Sequence, residues 1–107
     1  AFQEFIDAHP KSDLTPNARY WLGETFYVRG IYTQAADIFL SGYQSTPNGQ
    51  KAPDSLLKLG MSLIALDKKR EACAAFDKLN GDFPNAPKNI QRVVERQRKR
   101  AACSAGS

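Results

Sequence analysis

A chain of 107 residues is one domain's length, which excludes a multidomain enzyme. With 42% hydrophobic and 24% charged residues it is neither collagen-like, low-complexity nor disordered, and its apolar runs fall far short of the ~20 residues of a membrane span. The net charge of +4 is unevenly held: residues 1–87 carry nine Lys/Arg against ten Asp/Glu, whereas Lys88, Arg92, Arg96, Arg98, Lys99 and Arg100 face only Glu95 in residues 88–107, so the basic character belongs to the last segment and not to a whole nucleic-acid-binding face.

In chain order, the apolar spacing predicts a helix over residues 1–9. It begins at Ala1 with neither an initiator Met nor a signal peptide, which reads as a fragment of a longer precursor. Residues 16–29 and 32–45 are predicted as a helical hairpin, with Thr15 as N-cap, Pro16 at the first helical position and Gly30 at the break. Pro47-Asn48-Gly49 is turn chemistry. Residues 53–66 and 69–82 form the next hairpin, opened by Pro53 and by Asp54, whose carboxylate suits a helix N-terminus. A charged helix over 87–102 follows, and residues 104–107 read as a flexible tail.

The two hairpins are copies of each other. A shift of 37 residues lays Pro16 on Pro53, Leu22-Gly23 on Leu59-Gly60, Ala35 on Ala72, Phe39 on Phe76 and Pro47-Asn48 on Pro84-Asn85. The matching positions are small, aromatic or proline, the types that packing and turns restrict most. Their spacing follows the tetratricopeptide pattern of about 34 residues: Leu22-Gly23-x2-Phe26, Ala35-x3-Phe39, Pro47, and then Leu59-Gly60-x2-Leu63, Ala72-x3-Phe76, Pro84. The pattern's Trp place holds Arg19 and Leu56. Each Gly and Ala lets paired helices approach closely, and each Pro ends a second helix because it lacks the backbone donor. The expected fold is an all-α tetratricopeptide solenoid. Two full repeats, 16–47 and 53–84, are flanked by a partial N-terminal repeat helix, 1–9, and a C-terminal capping helix, 87–102, in one domain spanning 1–103.

The stretches Asn17-Ala18-Arg19-Tyr20-Trp21-Leu22-Gly23-Glu24, Ala35-Ala36-Asp37-Ile38-Phe39 and Lys51-Ala52-Pro53-Asp54-Ser55-Leu56-Leu57-Lys58-Leu59-Gly60 resemble the C-terminal tetratricopeptide domain of the Tol–Pal system periplasmic, or cell division coordinator, family (CpoB/YbgF). The resemblance runs from Phe2 to about Phe83. It implies a Gram-negative periplasmic protein, a missing signal peptide and a missing N-terminal coiled coil that makes the full-length protein a homo-oligomer. It implies as partners the periplasmic domain of TolA and a peptidoglycan synthase during outer-membrane constriction. His9 stands where related sequences often have an aromatic residue. A different periplasmic scaffold, such as an outer-membrane assembly lipoprotein subunit, is the second reading. A third is an anionic-polymer binder acting through the basic last helix.

No residue constellation points to catalysis, to a metal or to a cofactor. His9, at a predicted helix end, reads as a partly exposed helix residue and not as a base. The functional candidate is the groove. With Arg19, Leu22, Gly23 and Phe26 on the packing face, Asn17, Tyr20, Glu24, Tyr27 and Val28 fall opposite, with Trp21 on the flank. The matching stripe holds Asp54, Leu57, Met61, Ile64 and Ala65, and the last helix adds Val94 and Arg98. For Leu57, Met61 and Ile64 two readings stay open: groove anchors, or core covered by the last helix. Tyr20, Trp21 and Tyr27 read as anchors for a peptide, although Trp21 also suits a wedge between repeats. Tyr20, Glu24, Leu57 and Met61 stand where carboxylate-gripping tetratricopeptide domains carry Lys, Arg and Asn, which disfavours a chaperone-tail clamp.

Cys73 and Cys103 are expected to pair, the alternative being a buried Cys73 and a free tail thiol. An antiparallel last helix sets Cys73 opposite residue 98, so Cys103 overshoots by about five residues, ~7 Å at 1.5 Å per residue, a gap that a fraying tail would close. Val93 and Val94 give the last helix one narrow apolar stripe, enough to dock on the preceding repeat and too little to insert in a membrane.

Overall fold

The computed structural model of the chain describes residues 2–8 and 15–104. They form six helices: α1 (Phe2–Ala8), α2 (Thr15–Val28), α3 (Tyr32–Ser45), α4 (Ala52–Ala65), α5 (Lys69–Asp82) and α6 (Lys88–Arg100). Each expected helix is present, α3 and α5 with the expected bounds and the others with described ends displaced by one or two residues. Thr15, expected as the N-cap, is instead the first residue of α2. His9 lies outside the described residues, as do residues 105–107. Successive helices pack on one another to give an all-α helical solenoid with Cα extents of 43 × 29 × 20 Å.

The 37-residue period has a simple origin. Two 14-residue helices and the three-residue turn between them account for most of it, and the linker 46–51 supplies the remainder. The hairpin turns share one backbone device. After α2, Gly30 has φ 77°, its N–H bonds to the Tyr27 carbonyl, and the Ile31 N–H bonds to the Phe26 carbonyl. After α4, Asp67 has φ 59°, with its own N–H on Ile64 and the Lys68 N–H on Leu63. Both are Schellman caps, which satisfy the last helical carbonyls through one left-handed residue. At the other helix ends, Thr46 (φ −140°, ψ 70°) and Phe83 (φ −130°, ψ 60°) leave the helical region. Each precedes a proline, whose Cδ disfavours the α conformation in the residue before it.

The repeated glycines are sites of close approach. A Cβ on Gly23 would lie 2.6 Å from Phe39 Cε1, and one on Gly60 would overlap the Phe76 ring further still. The A-x3-F and L-G elements of the pattern are therefore two halves of one contact: the Cδ1–Cε1–Cζ edge of the ring on the second helix abuts the bare backbone of the first. Ala35, Phe39, Ala72, Phe76 and Leu79 are essentially without solvent exposure. Burying a phenylalanine side chain stabilises by about 1.5–3 kcal/mol.

Helix α6 closes the solenoid by burying Ile90, Val94, Gln97 and Ala101 on α4 and α5. Its docking stripe is wider than the Val93–Val94 pair alone. Cys73 and Cys103 are bonded, with an S–S distance of 2.03 Å. The five-residue overshoot is taken up by an ordered turn and not by a fraying tail. Ala102 has φ 57°, its N–H bonds to the Lys99 carbonyl, and the Cys103 N–H bonds to the Arg98 carbonyl, 2.9 Å away. This third Schellman cap turns the chain back toward α5. Ser104, at the start of the expected tail, accepts a hydrogen bond from Arg98 Nη2 on its carbonyl. An alanine in the left-handed region is strained, so Ala102→Gly is expected to raise the unfolding free energy by about 0.5–1 kcal/mol. Urea denaturation of the oxidised protein measures this, and no gain, or a loss, would contradict the strain.

Candidate functional site

The backbones of α2 and α4, and of α4 and α6, approach within 8 Å, whereas α1, α3 and α5 stay farther from one another. The layer of leading helices is therefore the tighter, inner one, and its open side is the concave face of the solenoid. The residues expected to line that face divide into two groups.

The first group is used inside the protein, along the seam between α2 and α4. Tyr20 is only 9% exposed. Its ring lies 5.7 Å from that of Phe39 and meets Trp21 edge-on at 5.1 Å. Lys51 Nζ sits 4.9 Å from the Tyr20 ring centroid and 5.5 Å from that of Trp21. Burial, helped by the Asp54 and Glu24 carboxylates, pushes the Tyr20 hydroxyl up to about 12, so it stays protonated at physiological pH. One turn on, Glu24 Oε2 pairs with Lys58 Nζ at 3.1 Å, and the same ammonium lies 4.9 Å from the Tyr27 ring. Tyr27 packs edge-on against Tyr32 at 5.4 Å. Its hydroxyl is also raised, first by burial and then by Tyr32 and Glu24, while Arg100 of α6 pulls the other way. Asp54 is raised by burial against the pull of Lys51 and Lys58. Glu24 Oε1 is buried without a hydrogen-bond partner.

The second group is core or cap. Leu57 is buried in the cluster that also holds Ile90 and Val94 of α6. Met61 and Ile64 are half-buried against the same cluster. Arg98 does not join the groove. It is ion-paired with Asp77 of α5 and its side chain is only 12% exposed. The rotation of α6 that buries Ile90, Val94 and Gln97 carries Arg98 to the α5 side.

The free part of the inner face lies about one helical position away from the stripe read from the sequence. Trp21 is 45% exposed and Val28 is 73% exposed, with exposed Thr25 between them. The spacing i, i+4, i+7 places these three on one face of α2, and the Thr25 hydroxyl donates to the Trp21 carbonyl at 2.9 Å. Asn17 is half-buried on its edge. A wheel that considers only the hairpin partner treats everything opposite Gly23 as free, but α4 also covers one flank of α2 and takes Tyr20, Glu24 and Tyr27. Lys51 and Lys58 were missed as site residues. The signal for Lys58 lay in the 37-residue register, which lays it on Trp21; Lys51 falls on Leu14 and had none.

The face offers an exposed aromatic anchor, an adjacent aliphatic one, and lysines held over tyrosine rings. Side chains of these kinds are common at protein–protein contacts. Among the described residues no group of three or more His, Cys, Asp and Glu is placed to hold a metal ion, and no helix is long and apolar enough to cross a membrane. No curated protein matches the chain. Residues 54–86 match the family model described as a tetratricopeptide repeat, and with two helical hairpins among the six helices of the described residues the chain is an all-α, tetratricopeptide-like helical repeat domain, a fold that points to protein–protein interaction.

Proposed function

We propose that this domain is a non-catalytic periplasmic interaction module that binds the periplasmic domain of TolA, a Tol–Pal component, on the inner face of α2, α4 and α6. In this reading it helps coordinate outer-membrane constriction with peptidoglycan synthesis during cell division, with a peptidoglycan synthase as a second partner and a coiled coil outside this chain making the protein a homo-oligomer. The observation that carries the interaction reading is Trp21, a large aromatic left 45% exposed beside Val28 on the face where such folds grip peptides. The compartment is supported by the Cys73–Cys103 bond, since disulfides persist in oxidising surroundings. The partner rests on the resemblance of the Asn17–Glu24 and Lys51–Gly60 stretches.

Calorimetric titration with the purified TolA periplasmic domain tests this. Trp21→Ala is expected to weaken binding by at least about 2 kcal/mol, some thirtyfold, with little change in stability, because the ring is a surface anchor. Tyr20→Ala, by contrast, is expected to cost about 3 kcal/mol of folding stability because it empties core volume. Wild-type affinity in Trp21→Ala would move the site off this face, and an absence of wild-type binding would remove TolA as the partner.

A further inference from the structure

Helix α6 has a second face that the groove does not use. Ile90, Val94, Gln97 and Ala101 point into the protein. Lys88, Arg92, Arg96 and Lys99 are all exposed. At 100° per residue these four cations fall within about 80° of arc, diametrically opposite the buried stripe, and span roughly 16 Å along the axis. None of them has an ion-pair partner among the described residues, although Glu95 lies beside the stripe.

Lys99 in the last turn complements the helix dipole, but the first two turns of this arrangement do not serve the helix. Like charges at i, i+4 destabilise a helix, and Lys88–Arg92 and Arg92–Arg96 are such pairs. The first turn holds no acidic residue and is occupied by Lys88, a cation at the positive end of the helix dipole. A cap built only for solubility mixes the two signs of charge. The exposed side of α6 is also free of apolar and aromatic side chains: Lys88, Asn89, Arg92, Glu95, Arg96, Lys99 and Arg100 make it up. That leaves nothing to anchor in a bilayer and no aromatic platform for nucleobases to stack on. The regular spacing of about 6 Å per helical turn is the spacing of carboxylates at i, i+4 on another helix.

We propose that the Lys88–Arg92–Arg96–Lys99 stripe is a docking surface for an acidic helical segment of a protein partner, whose Glu or Asp side chains recur once per turn on one face. The stripe is separate from the Trp21 face and stands or falls independently of it. Its contacts are solvent-exposed ion pairs, individually weak and screened by salt. It therefore orients and accelerates docking more than it holds the complex.

The probe is a fluorescein-labelled alanine-based peptide of about 20 residues with Glu at every fourth position, long enough to be helical. Its control has the same composition with the glutamates distributed around the helix. Anisotropy titrations run in 10 mM and 150 mM salt with the oxidised full chain. Arg92→Gln/Arg96→Gln is compared with Lys68→Gln/Lys69→Gln, which removes the same charge from the exposed start of α5. The expected result is binding of the in-register peptide at low salt that falls at least tenfold in Arg92→Gln/Arg96→Gln, survives in the α5 variant and is weaker for the control peptide. Relief of like-charge repulsion is expected to leave Arg92→Gln/Arg96→Gln at least as stable to heat as the wild type, so loss of binding cannot reflect unfolding. Equal loss in both variants, equal binding of the control peptide, or no binding would overturn the proposal. So would tighter binding of oligothymidylate or phosphatidylglycerol vesicles, tested alongside, than of the in-register peptide.

Discussion

Phe76→Ala is expected to lower the unfolding free energy by about 3–5 kcal/mol. The ring has no solvent exposure and lies against the bare backbone of Gly60 in the second repeat. Its removal leaves a void that neither helix can close, because each is held by its other neighbours: α4 by α3 and α6, and α5 by the disulfide. The reciprocal change, Gly60→Ala, adds a methyl group where the ring sits. Overpacking of this kind costs about 1–3 kcal/mol, set against a gain of about 1 kcal/mol in helix propensity. The two changes share one space, so their effects are not additive. In Gly60→Ala/Phe76→Ala the new methyl group points into the vacated volume, and the double variant is expected to lose about 1–2 kcal/mol less than the sum of the singles. Urea denaturation of the four proteins completes the cycle. Strict additivity would mean that ring and glycine do not form one contact.

The second large effect concerns the bond between α5 and the end of α6. Replacing both Cys73 and Cys103 by serine is expected to cost about 3–4 kcal/mol, the loop-closure value for the 30 residues between them. For a domain of this size that lowers the melting temperature by about 4–8 °C per kcal/mol. The loss is expected to be matched by reduction of the wild-type protein with dithiothreitol and to be absent when the serine variant is treated in the same way. A fall of less than about 1 kcal/mol would show that Arg98–Asp77 and the buried face of α6 hold the cap without the bond.

The fold was legible because its signature residues are fixed by contact and not by surface chemistry. Gly23 and Gly60 cannot drift while Phe39 and Phe76 rest on them, and Thr46 and Phe83 leave the helix because a proline follows each. The pairing of Cys73 with Cys103 was legible, but its means was not. A left-handed turn is signalled by glycine or asparagine, and Ala102 is neither. Asp67 hid the equivalent turn after α4 less well, because the register lays it on Gly30. The candidate face was legible only to within one helical position. Hydrophobic periodicity reports that a side of α2 is apolar, but not whether a partner protein or α4 covers it, and so Tyr20 and Tyr27 read like Trp21. Lysine carries even less information: Lys51 and Lys58 have the composition of solvated surface, yet they stand over aromatic rings because the linker and the second turn of α4 bring them there. Arg98 read as a groove residue because the rotation of α6 is set by Ile90 and Val94 together with the bond to α5, which no single-helix pattern encodes.

The position of that covalent bond gives the solenoid a direction of opening. Repeat proteins hold each unit through its neighbours alone, so local unfolding begins where the fewest neighbours are and advances one unit at a time. At one end of the described residues, the seven-residue α1 packs on α2. At the other, α6 is tied through Cys103 to α5, whose ring in turn fills the space above α4. The last hairpin with its cap is therefore expected to be the slowest unit to exchange its backbone amides. The helix that carries the cationic stripe is thus covalently pinned to its neighbour and presents its charges on a rigid rail, whereas the Trp21 face is held by packing alone.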